Sequence, residues 1–347
     1  MKIIDMHCDT ISRLRTERKE NVLPDHKTNK PELRSSSFQI DLEKMKKGSY
    51  LLQNFALFVN LSEEEDPYLA ALEMVHLFFE EMEHNQDIIR PVTSYKEIEE
   101  NKKSGLMSAL LTLEEGEICK GSLEHLKHFY DLGIRMMTLT WNFENQLGFP
   151  NRYPKRRTNS GIETDSSSHY PFYGSSNPTG LTKTGLEFLE EMEHLGIIID
   201  VSHLSDGGFY DVYNHTHLPF VASHSNARSL CKHCRNLTDD MIQKIGQRGG
   251  VIGLNFYGNF LDFHEDGTPG QSTAACIARH ARYITNLGGM DCLGLGSDFD
   301  GFAGETELSD CSMLYLLEEA LRKQGFSSGE IDKIFYRNVL RLYQELL

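Results

Sequence analysis

The 347-residue sequence predicts an α/β fold, a (β/α)8 TIM-type barrel spanning residues 1–347 as a single domain. Three observations lead there. Eight short apolar, β-rich runs alternate with stretches of helical hydrophobic spacing. Most of these runs are continuously apolar, as strands need when a parallel sheet is covered by helices on both faces. No glycine-rich phosphate turn follows the first run, as a doubly wound sheet would more often carry.

The strands are expected, in order, at Ile3–His7, Asn54–Val59, Ser108–Leu113, Met136–Thr140, Ile197–Val201, Phe220–Ser223, Val251–Asn255 and Cys292–Ser297. Helices fall between them. Pro67–His84 carries Leu69, Leu72, Val75, Phe78 and Phe79 at helical spacing, and Ser122–Leu132 and Thr184–Leu195 repeat the pattern. Thr238 followed by Asp239 and Asp240 is an N-terminal signal. Thr273–Leu287, Cys311–Lys323 and a terminal helix Gly329–Leu347 complete the alternation. One polar stretch, residues 142–180, breaks the rhythm between the fourth strand and its helix. It reads as a solvated surface loop or as a lid, at the barrel face where active sites form.

Charge and cysteine usage narrow the function. Lys+Arg 35 against Asp+Glu 51 leaves −16, which repels phosphate backbones and argues against nucleic acid. No apolar run approaches 18 residues, so no membrane span or membrane partner is expected. The start, Met1-Lys2-Ile3-Ile4-Asp5, does not read as a signal peptide. Seven cysteines without regular spacing fit a reducing, cytoplasmic setting. Cys231-Lys232-His233-Cys234 lacks the second Cys pair of a zinc motif and reads as structural or incidental.

The strand ends carry the chemistry. His7 and Asp9 follow the first strand, Glu114, Glu115 and Glu117 the third, His203 the fifth, His224 the sixth and Asp298 the eighth. In a barrel these side chains converge at one mouth. Three histidines with carboxylates suit zinc. The number of ligands suggests two ions, His7 and Asp9 on one, His203 and His224 on the other, with a third-strand carboxylate between them. Two such ions can share a hydroxide and polarise a carbonyl, and Asp298 is left over as general base and acid. Cys8, between His7 and Asp9, faces the core.

These residues resemble those of the membrane (renal) dipeptidase family of zinc peptidases, bacterial cytoplasmic branch. The matching stretches begin with Ile4-Asp5-Met6-His7-Cys8-Asp9-Thr10 and Leu113-Glu114-Glu115-Gly116-Glu117. They continue through Leu139-Thr140-Trp141-Asn142, Asp200-Val201-Ser202-His203, Ser223-His224-Ser225-Asn226-Ala227, Arg235-Asn236-Leu237-Thr238-Asp239 and Asn255-Phe256-Tyr257. Gly294-Leu295-Gly296-Ser297-Asp298-Phe299-Asp300-Gly301 is the last.

The resemblance implies a (β/α)8 barrel of the metal-dependent hydrolase type holding two zinc ions, with Glu114 as the bridge. Glu115 is the rival bridge, but the family pattern reads Glu-Gly-Gly, which puts Glu115 on a glycine position. Asp298 matches the acid/base, and Arg235 and Tyr257 match the groups that receive the substrate carboxylate. In the mammalian branch a histidine follows the Leu-Thr motif; here Trp141 stands there and becomes a substrate-site residue. The family's Gly-Gly-Asn reads Tyr336-Arg337-Asn338.

The resulting expectation is a binuclear zinc dipeptidase that acts on dipeptides with a free C-terminal carboxylate through a metal-bridging hydroxide, with a homodimer as the family's habit. Its alternatives are a zinc amidohydrolase that deacylates N-acyl amino acids, and a catalytically silent metal-binding protein.

Overall fold

A computed structural model describes residues 1–20, 31–151, 157–158, 161–162, 176–262 and 270–347. Its strands are β1 (Ile3–Asp5), β2 (Tyr50–Phe58), β3 (Ile89–Val92), β4 (Met107–Glu114), β5 (Ile134–Thr138), β6 (Arg157–Thr158), β7 (Gly161–Ile162), β8 (Ile198–Asp200), β9 (Val221–Ala222), β10 (Val251–Leu254) and β11 (Leu293–Leu295). Neighbours run in the order β2, β1, β11, β10, β9, β8, β5, β4, and the ring closes where β4 pairs with β2 from Ser108 opposite Leu52 to Glu114 opposite Phe58. Every pairing in the ring is parallel. The result is the expected eight-stranded parallel barrel, and closure removes the open sheet edges.

β3 was not expected. It covers only the N-terminal half of β4, from Ile89 opposite Met107 to Val92 opposite Leu110, while β5 takes over that edge from Leu111. Its four residues are too few to show a period, and Pro91 is tolerated because the strand lies outside the ring. β1 stops at Asp5, short of the expected His7, but Cys8 continues the pairing as a parallel bridge to Phe299. Cys8 is fully buried, and its thiol donates to the Asn54 carbonyl (3.4 Å), so His7 and Asp9 flank it as a strand alternation requires.

The periodic helices appear where expected, each with a cap. Asp66 caps Pro67–His84 by accepting from Leu69 N–H (3.1 Å), with Pro67 in the first turn. Thr182, Thr238 and Thr273 cap Lys183–Leu195, Asp239–Gln247 and Ala274–Gly288. The terminal helix differs from its expected form: Ser328–Asp332 and Asn338–Leu346 are separated by a π turn at Lys333–Arg337. Beside that widened turn, Asn338 donates its amide to the Met290 and Leu293 carbonyls (both 2.8 Å). The expected helix from Cys311 begins as a 3-10 turn, and its α-helical part is Tyr315–Lys323.

The helices Thr10–Glu20 and Asp206–His215 were missed, as were Leu42–Gly48, Tyr95–Lys103 and Gly258–Leu261. The first buries only Thr10, Ile11 and Leu14, and the second opens with Gly207-Gly208. Most of the loop expected at 142–180, namely 152–156, 159–160 and 163–175, lies outside the described residues.

Ile4, Leu52, Leu110, Met136, Ile198, Val221 and Val251 meet inside the barrel and pack against Val339, Leu342 and Tyr343. The last helix therefore plugs the N-terminal end, and Tyr343 donates from there to Asn54 Oδ1 (2.8 Å). The opposite end is left for polar groups. No helix among the described residues is long and apolar enough to cross a membrane.

Candidate active site

The strand ends bring His7, Asp9, Glu114, His203, His224 and Asp298 together, all buried. His7 Nε2 lies 3.4 Å from Asp9 Oδ2, 3.3 Å from Glu114 Oε2 and 3.9 Å from Asp298 Oδ1. Glu114 Oε1 faces the other way, 3.1 Å from His203 Nε2 and 3.7 Å from His224 Nε2. The two oxygens of one carboxylate thus address two separate sets of donors. Glu114 sits at the end of β4 opposite Thr138, whose hydroxyl donates to Asp200 Oδ2 (3.0 Å) on β8.

Two buried aspartates hold the histidine-bearing segments. β1 and β8 both read Ile-Ile-Asp. Asp5 accepts from Ser297 N–H (2.9 Å), Ser297 Oγ (2.6 Å) and His7 N–H (3.3 Å), tying the β1 end to the β11 end. Asp200 accepts from the N–H groups of Ser202 and Ser223 (both 2.9 Å) and from the Ser223 hydroxyl. Because that hydroxyl proton goes to Asp200, Ser223 Oγ accepts from His224 Nδ1–H (2.7 Å). Asn142 Oδ1 can only accept, so His203 donates to it from Nδ1 (3.2 Å). Each partner thereby assigns the tautomer that leaves a lone pair on Nε2.

Those two Nε2 lone pairs lie 2.9 Å apart and both point at Glu114. Without a cation between them this arrangement is repulsive. The charge balance agrees. Burial, against the attraction of His7, pushes Glu114 up to about 8, and burial likewise lifts Asp298 to about 6. Burial and the neighbouring His7 drive His224 well below the usual histidine range. His7 is lifted well above it, because Glu114 and Asp9 outweigh its own burial. His7 Nε2 and Asp9 Oδ1 have no hydrogen-bond partner. Buried carboxylates gathered around the bare Nε2 atoms of His203 and His224 are what a divalent metal neutralises, so the donor set fits a metal site.

The segment is strained where it is functional. Six non-glycine residues among those described have positive φ, and four of them, Glu115 (107°), His203 (69°), Asp298 (63°) and Asp300 (67°), surround this site. Asn255 donates to Asp298 Oδ2 (2.9 Å), leaving Oδ1 turned towards His7. Gly301 permits the close packing: a Cβ there would lie 2.1 Å from Asp9 Oδ2 and 2.5 Å from Asp298 Oδ1.

A cavity of about 470 Å³ opens onto the cluster, lined in part by Asp9, Glu114, His203, Asp298, Trp141 and Tyr257. Trp141 packs against Phe58, with ring centroids 4.8 Å apart, and stands 6.1 Å from His203. The Tyr257 hydroxyl accepts from Asn259 Nδ2 (2.7 Å). Arg235 is not in that lining. It lies over Phe260, which is, at 5.4 Å, and donates to the His224 carbonyl (3.2 Å). Its buried Nε has no partner, and Asp239, close in sequence, is held instead by Ser229 and Tyr283.

Glu115, the rival to Glu114, points away from the cluster and accepts from the N–H groups of Glu117 (2.8 Å) and Trp141 (2.9 Å). Burial pushes it up to about 7, with those donors pulling back. Cys231 and Cys234 are buried, and burial pushes Cys231 up to about 12, as an inert thiol requires.

Sequence reasoning missed the outer wall: Arg13 and Arg15 from the first helix, Phe58 at the end of β2, and Asn60, Glu63 and Glu64 after it. Their positions beyond a barrel strand were the only available signal. It also missed Asn142 and Asn255, although both are polar residues at strand ends.

A family model described as membrane dipeptidase (peptidase family M19) matches residues 1–346. An uncharacterized protein from the pqqA 5' region of Klebsiella pneumoniae is 33% identical over 264 residues, covering 76% of this chain and 91% of that one. The crystal structure of the dipeptidase AC, a metallopeptidase of family M19, is similar with TM-score 0.81 at 26% identity, covering 100% of this chain and 98% of that one. A metallopeptidase from Rhodobacter sphaeroides, solved with a phosphinate mimic of the dipeptide L-Ala-D-Ala, gives TM-score 0.81 at 25% identity, with coverage of 100% and 99%.

Proposed function

The chain belongs to the membrane dipeptidase family of metallopeptidases, and on that premise we propose that it uses two zinc ions to hydrolyse dipeptides bearing a free C-terminal carboxylate. One observation carries the reading: Glu114 turns Oε2 to His7 and Oε1 to the Nε2 atoms of His203 and His224. His7, Asp9 and Glu114 Oε2 would hold one ion; His203, His224 and Glu114 Oε1 would hold the other. Three imidazoles with carboxylates favour zinc over harder cations. When bound, the pair supplies a nucleophilic water at neutral pH and polarises the scissile carbonyl.

The chain's own groups do the rest. Asp298 takes the proton of the attacking water on Oδ1 and passes it to the departing amine, while Asn255 fixes its other oxygen. Arg235 receives the substrate carboxylate, because a guanidinium fork matches it and its buried Nε lacks a partner. Tyr257 and Trp141 close the walls. The dipeptide mimic held by the Rhodobacter sphaeroides relative supports a substrate of this size and makes L-D pairs worth testing.

The test is a panel of L-L and L-D dipeptides and N-acyl amino acids, assayed with and without chelator beside a metal count. We expect close to two zinc ions per chain, dipeptide turnover lost on chelation, and His203→Ala lacking one ion and most activity. A fully active protein with a single ion would refute the bridged pair. A zinc-loaded protein that cleaves only N-acyl amino acids would replace dipeptides as the substrate class.

A further inference from the structure

Glu115 is a buried carboxylate beside the metal cluster that the mechanism above does not use. Its backbone sits at φ 107°, where an L side chain is strained and glycine is not. Nothing in the strand ends requires a side chain there, so the strain is set against whatever that side chain holds. It holds the loop after β5. Oε2 accepts from Trp141 N–H (2.9 Å), and Oε1 accepts from Glu117 N–H (2.8 Å) and from the side-chain amide of Asn145. Asn145 in turn donates to the Leu139 carbonyl (2.9 Å) and accepts from the N–H groups of Leu147 (2.8 Å) and Gly148 (3.0 Å).

Next door, Glu117 grips Gln146 through its N–H (3.0 Å) and Nε2 (2.7 Å). The two loops are pressed so close that a Cβ on Gly116 would lie 2.3 Å from the Leu139 carbonyl oxygen.

We propose that Glu115 is a positioning residue that holds Trp141 and Asn142 as one wall of the substrate pocket, so that the residue sets substrate fit rather than metal content. The consequence reaches the site by two short paths. Trp141 carries its indole against Phe58 inside the cavity. Asn142, the next residue, accepts from His203 Nδ1 (3.2 Å). With three N–H donors on two carboxylate oxygens, an amide cannot substitute: Gln offers one acceptor oxygen and turns an NH2 against one of the donors.

The inference rests on reading the cavity as a dipeptide site, and the experiment separates the two. Trp141 is the only tryptophan, so its emission reports on this wall without substrate. In Glu115→Gly we expect unchanged metal content, red-shifted emission more open to acrylamide, and kcat/KM for the best dipeptide down roughly 10–100-fold, largely through KM. Glu115→Gln should shift emission and KM in the same direction. Native emission and native kinetics in Glu115→Gly would overturn the proposal. So would lost metal, which would make Glu115 a ligand residue. Shifted emission in a protein that hydrolyses no dipeptide would leave the positioning role standing and reject the dipeptidase reading.

Discussion

Arg235→Met is the sharpest test of how the substrate carboxylate is read. The native Arg235 is only 6% exposed. Burial depresses its pKa, and the nearby Asp298 and Glu114 carboxylates pull it back, so it stays charged in a place where charge is expensive. It makes one hydrogen bond to a carbonyl oxygen, and its Nε is left over. An arriving carboxylate completes that inventory. Methionine keeps the unbranched stem as far as the Nε position and removes every donor. A hydrogen bond to a charged group is worth about 1.5–3 kcal/mol, or roughly 10–150-fold in kcat/KM.

The assay is kcat/KM for one dipeptide and its C-terminal amide, on native and Arg235→Met protein with zinc content verified. The dipeptide should lose the full factor and the amide little, so their ratio collapses towards one. Arg235→Lys keeps the charge without the fork and should fall between. Equal losses on both substrates would show that Arg235 does not read the carboxylate. Its place behind Phe260 would then be a packing role.

Three other outcomes can be checked separately. Asp298→Asn, which keeps the Asn255 contact but loses the proton acceptor, should retain native metal content with kcat down about 10²–10⁴-fold; lost zinc would instead make Asp298 a ligand. Trp141 emission should shift on titration with a non-hydrolysed dipeptide analogue, at a midpoint equal to its inhibition constant, and Trp141→His should change substrate preference at constant zinc; indifference in both would remove Trp141 from the site. His280 is buried between Ala227 N–H (3.1 Å) and the Leu261 carbonyl (2.9 Å), and burial pushes it down to about 4. The unfolded chain, with an ordinary value near 6.5, therefore binds this proton first: stability is intact above about pH 6.5 and falls towards pH 4 by up to about 3 kcal/mol. His280→Asn should flatten Tm against pH across that window, and parallel slopes for the two proteins would refute the assignment.

Much of the barrel was legible because its signals are local. Predominantly apolar runs such as Ser108–Leu113 and Ile197–Val201 need only their own residues to declare a strand buried on both faces, and Thr or Asp before a periodic run declares a helix start. Elements stabilised from outside were not. β3 is four residues with a proline and exists because the edge of β4 is available. The Asp206–His215 helix begins on two glycines, and a Cβ at Gly207 would lie 2.2 Å from the Pro178 carbonyl, so its composition answers to a neighbour far along the chain.

The same division runs through the site. The sequence by itself determined which residue types stand at the strand ends, because strand order and side-chain alternation follow from periodicity. It brought His7, Asp9, Glu114, His203, His224 and Asp298 to one mouth before any coordinates. Only the tertiary structure shows where the two adjacent carboxylates point: the positive-φ backbone at Glu115 turns its carboxylate onto Trp141 and Asn145, while Glu114 keeps the strand geometry and faces the histidines. Only it assigned the histidine tautomers, through Ser223 and Asn142, and placed Arg235 behind Phe260. Hydrogen bonds and backbone strain depend on atoms tens to hundreds of residues apart meeting within about 3 Å, and no window along the chain carries that distance.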